Sequence, residues 1–222
     1  MMKNSYRGKF IVIEGIDGAG GETQSTLLFN FFKKEKISVE RLTYPDYEEP
    51  IGRLIHEFLH KKYEFSPLTQ FLLYLTDFLK DKEKIKKWLK EGKIVISDRY
   101  FTSTLAYQCL RGFSPEKALK IAKLLELPKP DLIIYLKVSP EISMKRKYKE
   151  KRNLDRNEKD KKFLGQLVKL YEETLIKNSV FGKWVIIDGE KPIKEVSEEI
   201  NLFFTHRVPF AGRRWKRERS AL

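Results

Sequence analysis

The sequence predicts an α/β fold, a five-stranded parallel sheet with helices on both faces. Three observations carry that prediction. Five short apolar runs alternate with helix-length amphipathic segments along the 222 residues. All but Val39–Thr43, which carries Glu40 and Arg41, are nearly continuous in apolar residues, as strands covered on both faces require. Two motif-bearing turns, at Gly15 and Asp98, lie at the carboxyl ends of such runs, where open parallel sheets place their ligands.

Lys9–Glu14 reads as the first buried strand and Thr23–Lys36 as the helix after it. Val39–Thr43 is a second strand, followed by the loop Tyr44–Pro50 and a short helix, Ile51–His60. From Ser66 to Glu91, Leu68, Phe71, Leu72, Leu75, Phe78, Leu79, Ile85, Trp88 and Leu89 recur at helical spacing, with a break expected near Lys80–Lys82. Ser66 and Pro67 suit an N-cap and a first helical position. Gly92 closes that segment, and Ile94–Ser97 forms a strand running into Asp98-Arg99-Tyr100. Thr102–Leu110 and Ser114–Leu125 are helical, and Leu132–Val138 is a strand. Pro140–Lys151 and Glu158–Asn178 are helical, Trp184–Ile187 is the last strand and Pro192–Phe204 the last helix.

No Gly/Ser/Pro-rich linker divides the chain, so residues 1–205 read as one domain, with 206–222 as a basic tail. Hydrophobic residues make up 41%, enough for a sizeable core. The single cysteine, Cys109, excludes an internal disulfide and suits a reducing cytoplasm. No apolar run approaches the roughly 20 residues of a membrane span, and the N-terminus lacks a signal-peptide pattern. The net charge of +14 fits either polyanion partners or a lysine-rich solvated surface. Charged residues reach 34% while Gln and Asn total ten, a balance found in heat-adapted proteins. A melting temperature in the mesophile range would count against that reading. The tail carries Arg207, Arg213, Arg214, Lys216, Arg217 and Arg219, and is either a nucleic-acid-binding arm or a loose end.

The turn GIDGAGGETQ, Gly15–Gln24, joins a strand to a helix. Such a turn aims backbone N–H groups and a helix N-terminus at one spot, which suits phosphate. Gly15, Gly18 and Gly20 fit a phosphate loop. The pattern then asks for lysine and a hydroxyl, where the chain has Gly21 and Glu22. The carboxylate of Glu22 repels a polyphosphate unless a metal lies between them. An ordinary glycine-rich strand–helix turn is the alternative.

SDRYFTSTLAYQ, Ser97–Gln108, resembles the DRY/DRH segment of the thymidylate kinase family, and FIVIEGIDGAG its first strand and loop. YPDYEEPIGRLI, KEGKIVISDRY, KPDLIIYLKVSPE, LDRNE with FLGQLVKLY, and WVIIDGEKPIKEV follow in that family's order, so the resemblance spans about Lys9 to Phe204. It implies transfer of the ATP γ-phosphoryl group to dTMP with Mg²⁺, a lid at about residues 145–162, and a homodimer. By resemblance, Gly15, Ile16, Asp17, Gly18, Ala19, Gly20, Gly21, Glu22 and Thr23 form the ATP loop. Asp17 serves the acceptor sugar and Arg99 grips the acceptor phosphate, a use suited to its bidentate fork. Asp98 reaches the Mg²⁺ shell, with Glu22 as a second metal candidate. Tyr74 stacks on thymine. Tyr107 lies against the deoxyribose, and Ser103, Thr104 and Gln108 are polar neighbours. Taken singly, Tyr74, Phe78 and Tyr107 fit a helix core, Arg99 a surface ion pair and Asp98 a strand cap.

The departures fall on charged positions. Gly21 and Glu22 replace the loop Lys and Ser/Thr, Phe78 replaces the arginine that reads thymine, and Tyr47 replaces a phosphate-binding arginine. Phosphoryl transfer depends on positioning and charge. Lost without replacement, such donors leave little activity, each costing about 3 to 4 kcal/mol of barrier. Replacement would come from the lid, where Arg146, Arg152 and Arg156 are candidates, Arg152 and Arg156 as catalytic groups. Three readings follow: an active monophosphate kinase, a nucleotide-binding homologue with weakened or lost catalysis and a regulatory or partner role, and a nucleic-acid-binding module. Phe78 also implies a relaxed choice among acceptor bases.

Overall fold

The computed structural model describes residues 6–150 and 154–206. Five strands, β1 (Lys9–Glu14), β2 (Val39–Thr43), β3 (Ile94–Asp98), β4 (Leu132–Lys137) and β5 (Trp184–Asp188), form one parallel sheet in the order β2-β3-β1-β4-β5. Alternate β1 residues enter two different cores. Phe10 and Val12 join Phe71, Phe78, Tyr100 and Leu164 on one face. Ile11 and Ile13 join Leu28, Phe32, Ile200 and Phe204 on the other. Two covered faces account for strands with no polar alternation.

The helices are α1 (Gly21–Lys34), α2 (Pro50–Leu59), α3 (Pro67–Leu79), α4 (Lys82–Lys90), α5 (Phe101–Leu110), α6 (Pro115–Leu124), α7 (Pro140–Glu150), α8 (Lys161–Leu170) and α9 (Ile193–His206). The long amphipathic pattern breaks between Leu79 and Lys82, where it was expected to. Ser66 Oγ accepts from the Thr69 N–H at 3.1 Å, so it is the N-cap that the Ser-Pro pair predicts.

Two helix starts differ from the sequence reading by two or more residues. Helix α1 starts at Gly21 rather than Thr23, because Gly20 adopts φ 97° and turns the loop straight into the helix. Helix α8 starts at Lys161 rather than Glu158. Asp155 and Glu158 instead close a separate turn, each carboxylate accepting the other's N–H at 3.0 and 2.9 Å. Asp160 Oδ1 then caps the Phe163 N–H at 2.9 Å. Beyond Leu170 the helix widens into a π-turn, Tyr171–Ile176. The basic tail and Arg152 lie outside the described residues, apart from the last turn of α9.

Candidate active site

The sheet register sets up the site. Asp98 pairs with Ile13 of β1 and with Thr43 of β2, so three strands end at one level. Gly15, Tyr44 and Arg99 leave from those ends, beside the β3/β1 boundary where the strand order reverses.

The loop after β1 has the geometry of an anion cradle. Gly18 has φ 77°, and a Cβ there would meet Ser143 O at 2.7 Å, so neither its conformation nor its surroundings admit a side chain. Gly20 is the N-cap of α1 and offers no side-chain cap, which leaves first-turn N–H groups facing the cleft. Ser143 Oγ donates to Asp17 O, and Arg146 donates to Gly18 O at 3.3 Å and Gly189 O at 2.8 Å. Arg146 thus clamps the back of the loop through its carbonyls.

A cleft of about 1420 Å³ runs over this loop, lined by residues 15–23, Asp98, Arg99 and the α7 end. Its acids, among them Asp17, Glu22, Asp46, Glu48, Asp98 and Glu150, outnumber its cations, Arg99 and Lys147. Lys147 sits over Gly18, with its Nζ 2.8 Å from Glu150 and 3.7 Å from Glu158. Burial opposes its charge, but the two carboxylates outweigh that and hold the ammonium above the usual lysine range. Asp98 is 7% exposed, and burial pushes its pKa up to about 6, with Glu14 and Glu22 adding repulsion against the pull of Arg99. A Cβ on Gly21 would collide with Asp98 Oδ1. A carboxylate therefore stands beside the position where phosphate loops carry lysine.

Arg99, at φ 63°, turns back from β3 to the wall of the cleft. It donates to Asp17 Oδ1 at 2.8 Å and Gly15 O at 2.9 Å, and its guanidinium lies 5.7 Å from the Tyr107 ring centre. Tyr107 Oη donates to the other Asp17 oxygen at 3.0 Å. Beneath them lies a residue that sequence reading missed. Glu14, 1% exposed, accepts from Thr102 and Ser103 hydroxyls at 2.5 and 2.6 Å, from Tyr171 Oη at 3.0 Å and from the Ser103 N–H at 3.0 Å. It caps the α5 N-terminus from another strand and fixes Ser103 beside Arg99. Burial raises its pKa, opposed by the Ser103 and Thr102 hydrogen bonds. The sequence signal was a charged residue ending an otherwise apolar strand.

A second cavity, about 510 Å³, adjoins the cleft and shares Asp17, Tyr44, Tyr47 and Arg99 with it. Tyr74, Phe78, Ser103, Thr104, Tyr107 and Gln108 line it, so the structure brings the predicted acceptor residues together. Tyr47 is 44% exposed at the shared rim with its ring against His56. Phe78 is 2% exposed, packed edge-on to Tyr44 at 4.9 Å. Arg156 is not brought to the loop. It stacks over Phe58 at 4.1 Å and pairs with Glu64 at 2.9 Å, tying the turn before α8 to α2.

A glycine-rich strand–helix loop, joined through one arginine to a pocket lined by aromatic and polar side chains, is an arrangement that suits a monophosphate kinase. The sequence profile of the thymidylate kinase family matches residues 13–200. The chain belongs to the thymidylate kinase family. It is 32% identical over 199 residues to the thymidylate kinase of Dictyostelium discoideum, covering 89% of this chain and 85% of the relative. It is 34% identical over 204 residues to that of Thermoanaerobacter sp., covering 87% and 96%. A probable thymidylate kinase of Thermococcus onnurineus is 42% identical over 146 residues, covering 62% and 70%. The solved thymidylate kinase of Candida albicans superposes with a TM-score of 0.69 at 28% identity, covering 90% and 92%. The five-stranded parallel sheet of this chain is that of a thymidylate kinase, and the family's members are phosphotransferases.

Proposed function

We propose that this chain phosphorylates dTMP with ATP, giving dTDP and ADP. The supporting observation is the Asp17–Arg99–Tyr107 lattice at the wall between the two cavities. An acceptor phosphate entering there would take over Arg99 from Asp17, so the guanidinium is already aimed. A phosphate oxygen of dTMP then attacks Pγ as the bond from Pγ to the β-bridging oxygen breaks. The loop N–H groups bear the charge that develops on the donor. Tyr74 is positioned to flank the base, and Ser103, Thr104 and Gln108 to meet its polar edge and the sugar.

Mg²⁺ is the metal this reading implies, held by Asp98 with Glu22 as a second ligand candidate. The buried Asp98 carboxylate facing the loop fits it. Among the described residues no group of three or more His, Cys, Asp or Glu could hold a metal, so an ion at Asp98 would need further oxygen ligands from outside the protein. The ion supplies positive charge between acids and phosphates. Dimerisation has a candidate face in α3, where Leu68 and Leu72 are 51% and 45% exposed, and sedimentation tests it. No described helix is long and apolar enough to cross a membrane, which fits a cytoplasmic setting.

Gly21 and Glu22 favour a second reading, a nucleotide-binding homologue with weakened catalysis. A coupled assay with Mg²⁺-ATP against a panel of monophosphates separates the two, run beside the Gly21→Lys/Glu22→Ser variant. Turnover by the natural chain supports the kinase. Turnover only in the variant, where the new lysine would pair with Asp98, means the donor loop is disabled. Silence of the natural chain together with retained nucleotide binding in a titration supports a binding role.

A further inference from the structure

We propose that the acceptor pocket reads its pyrimidine through groups of reversible polarity, and therefore takes 4-aminopyrimidine deoxynucleotides such as dCMP alongside dTMP. The inference rests on the kinase reading above. A phosphate on Arg99, at the wall shared by both cavities, leaves the base to the far end of the smaller one. Tyr74, Phe78, Thr104 and Gln108 line only that end.

Thr104 and Gln108 are each 2% exposed, and Thr104 Oγ1 and Gln108 Oε1 are buried without a hydrogen-bond partner. Buried polar atoms in folded proteins are mostly paired; of the ten unpaired ones among the described residues, these two alone line the smaller cavity, where a ligand edge would meet them. Thymine presents an N3–H donor and an O4 acceptor. Cytosine presents the reverse, an N3 acceptor and an amino donor. A primary amide carries one donor side and one acceptor side, and a half-turn about its last bond exchanges them; a hydroxyl donates or accepts. Gln108 and Thr104 can therefore meet either edge.

A group of fixed polarity would discriminate, because a guanidinium only donates and would set N–H against the cytosine amino group. Among the described residues lining this cavity the one cation is Arg99, at the phosphate wall. The base end is closed by Phe78, whose ring packs on Tyr44 and Tyr100 and offers no preference between a 4-oxo and a 4-amino group.

The test is calorimetric titration of the full chain with dTMP and dCMP, with Mg²⁺-ATP turnover of each. The expected result is dissociation constants within about tenfold of one another and phosphorylation of both. Phe78→Arg, which places a donor-only group at the base end, is expected to move the dCMP/dTMP affinity ratio toward dTMP by about tenfold or more. Because the readout is a ratio, partial loss of folded protein does not imitate it. A dCMP affinity about a hundredfold or more below that of dTMP, or an unchanged ratio in Phe78→Arg, overturns the inference. The fixed donor would then be Asn157, whose oxygen is held by Arg111. Similar binding of both without turnover supports the base reading and sinks the kinase reading. Binding of neither overturns both.

Discussion

At the scale of single residues, the site is a problem of charge. The cleft over the phosphate loop holds more carboxylates than cations, and Asp98 stands beside the lysine position. Arg99 is held by Asp17 and Gly15. Lys147 is then the described cation that lines the cleft and can turn toward a donor triphosphate, exchanging Glu150 and Glu158 for phosphate oxygens. Lys147→Met is expected to weaken ATP binding about tenfold while leaving dTMP binding unchanged, a loss in the range of one charge-assisted hydrogen bond. Separate titrations with each nucleotide check it, and equal loss for both would mean the side chain only supports the fold. Lys147 was hidden in the sequence because it sits in a run of lysines and arginines whose members look alike. Arg156 looked the better candidate, but a ring at Phe58 and a carboxylate at Glu64 hold it elsewhere.

At the scale of elements, the turn before α8 decides where that helix begins. Asp155 and Glu158 satisfy one another's backbone N–H groups, Arg156 ties the turn to α2, and Asp160 caps α8. Asp160→Ala removes that cap, and the expected cost is about 1 kcal/mol of stability. Denaturant unfolding should show a lower midpoint with an unchanged slope. The π-turn that follows keeps Tyr171 within reach of Glu14, 157 residues away in sequence. Helical periodicity predicts a helix through this stretch. It does not predict the widening, which is fixed by a hydrogen bond to a different strand.

At the scale of the whole molecule, stability and site share one acid. Asp98 has a pKa pushed up to about 6, above the ordinary carboxylate value, chiefly by burial. A raised folded-state pKa favours the protonated form, so its contribution is present in acid and is lost as pH rises through about 6. In metal-free buffer, Asp98→Asn should therefore be more stable than the natural chain at pH 7.5, on the order of 2 kcal/mol, with the gap closing toward pH 4. Paired unfolding curves at the two pH values check it, and a constant gap would count against it. The alternation of apolar strands with amphipathic helices determined the parallel sheet by itself, because two-sided burial leaves few other arrangements for such runs. Motif order determined the family, and strand ends determined which edge of the sheet carries the candidate site. The sequence could not tell which charges face the cleft, since that depends on side-chain partners far away in the chain. Glu14 under α5, Lys147 over Gly18 and the unpartnered Thr104 and Gln108 are decided only by tertiary packing, which alone sets what each buried polar group can reach.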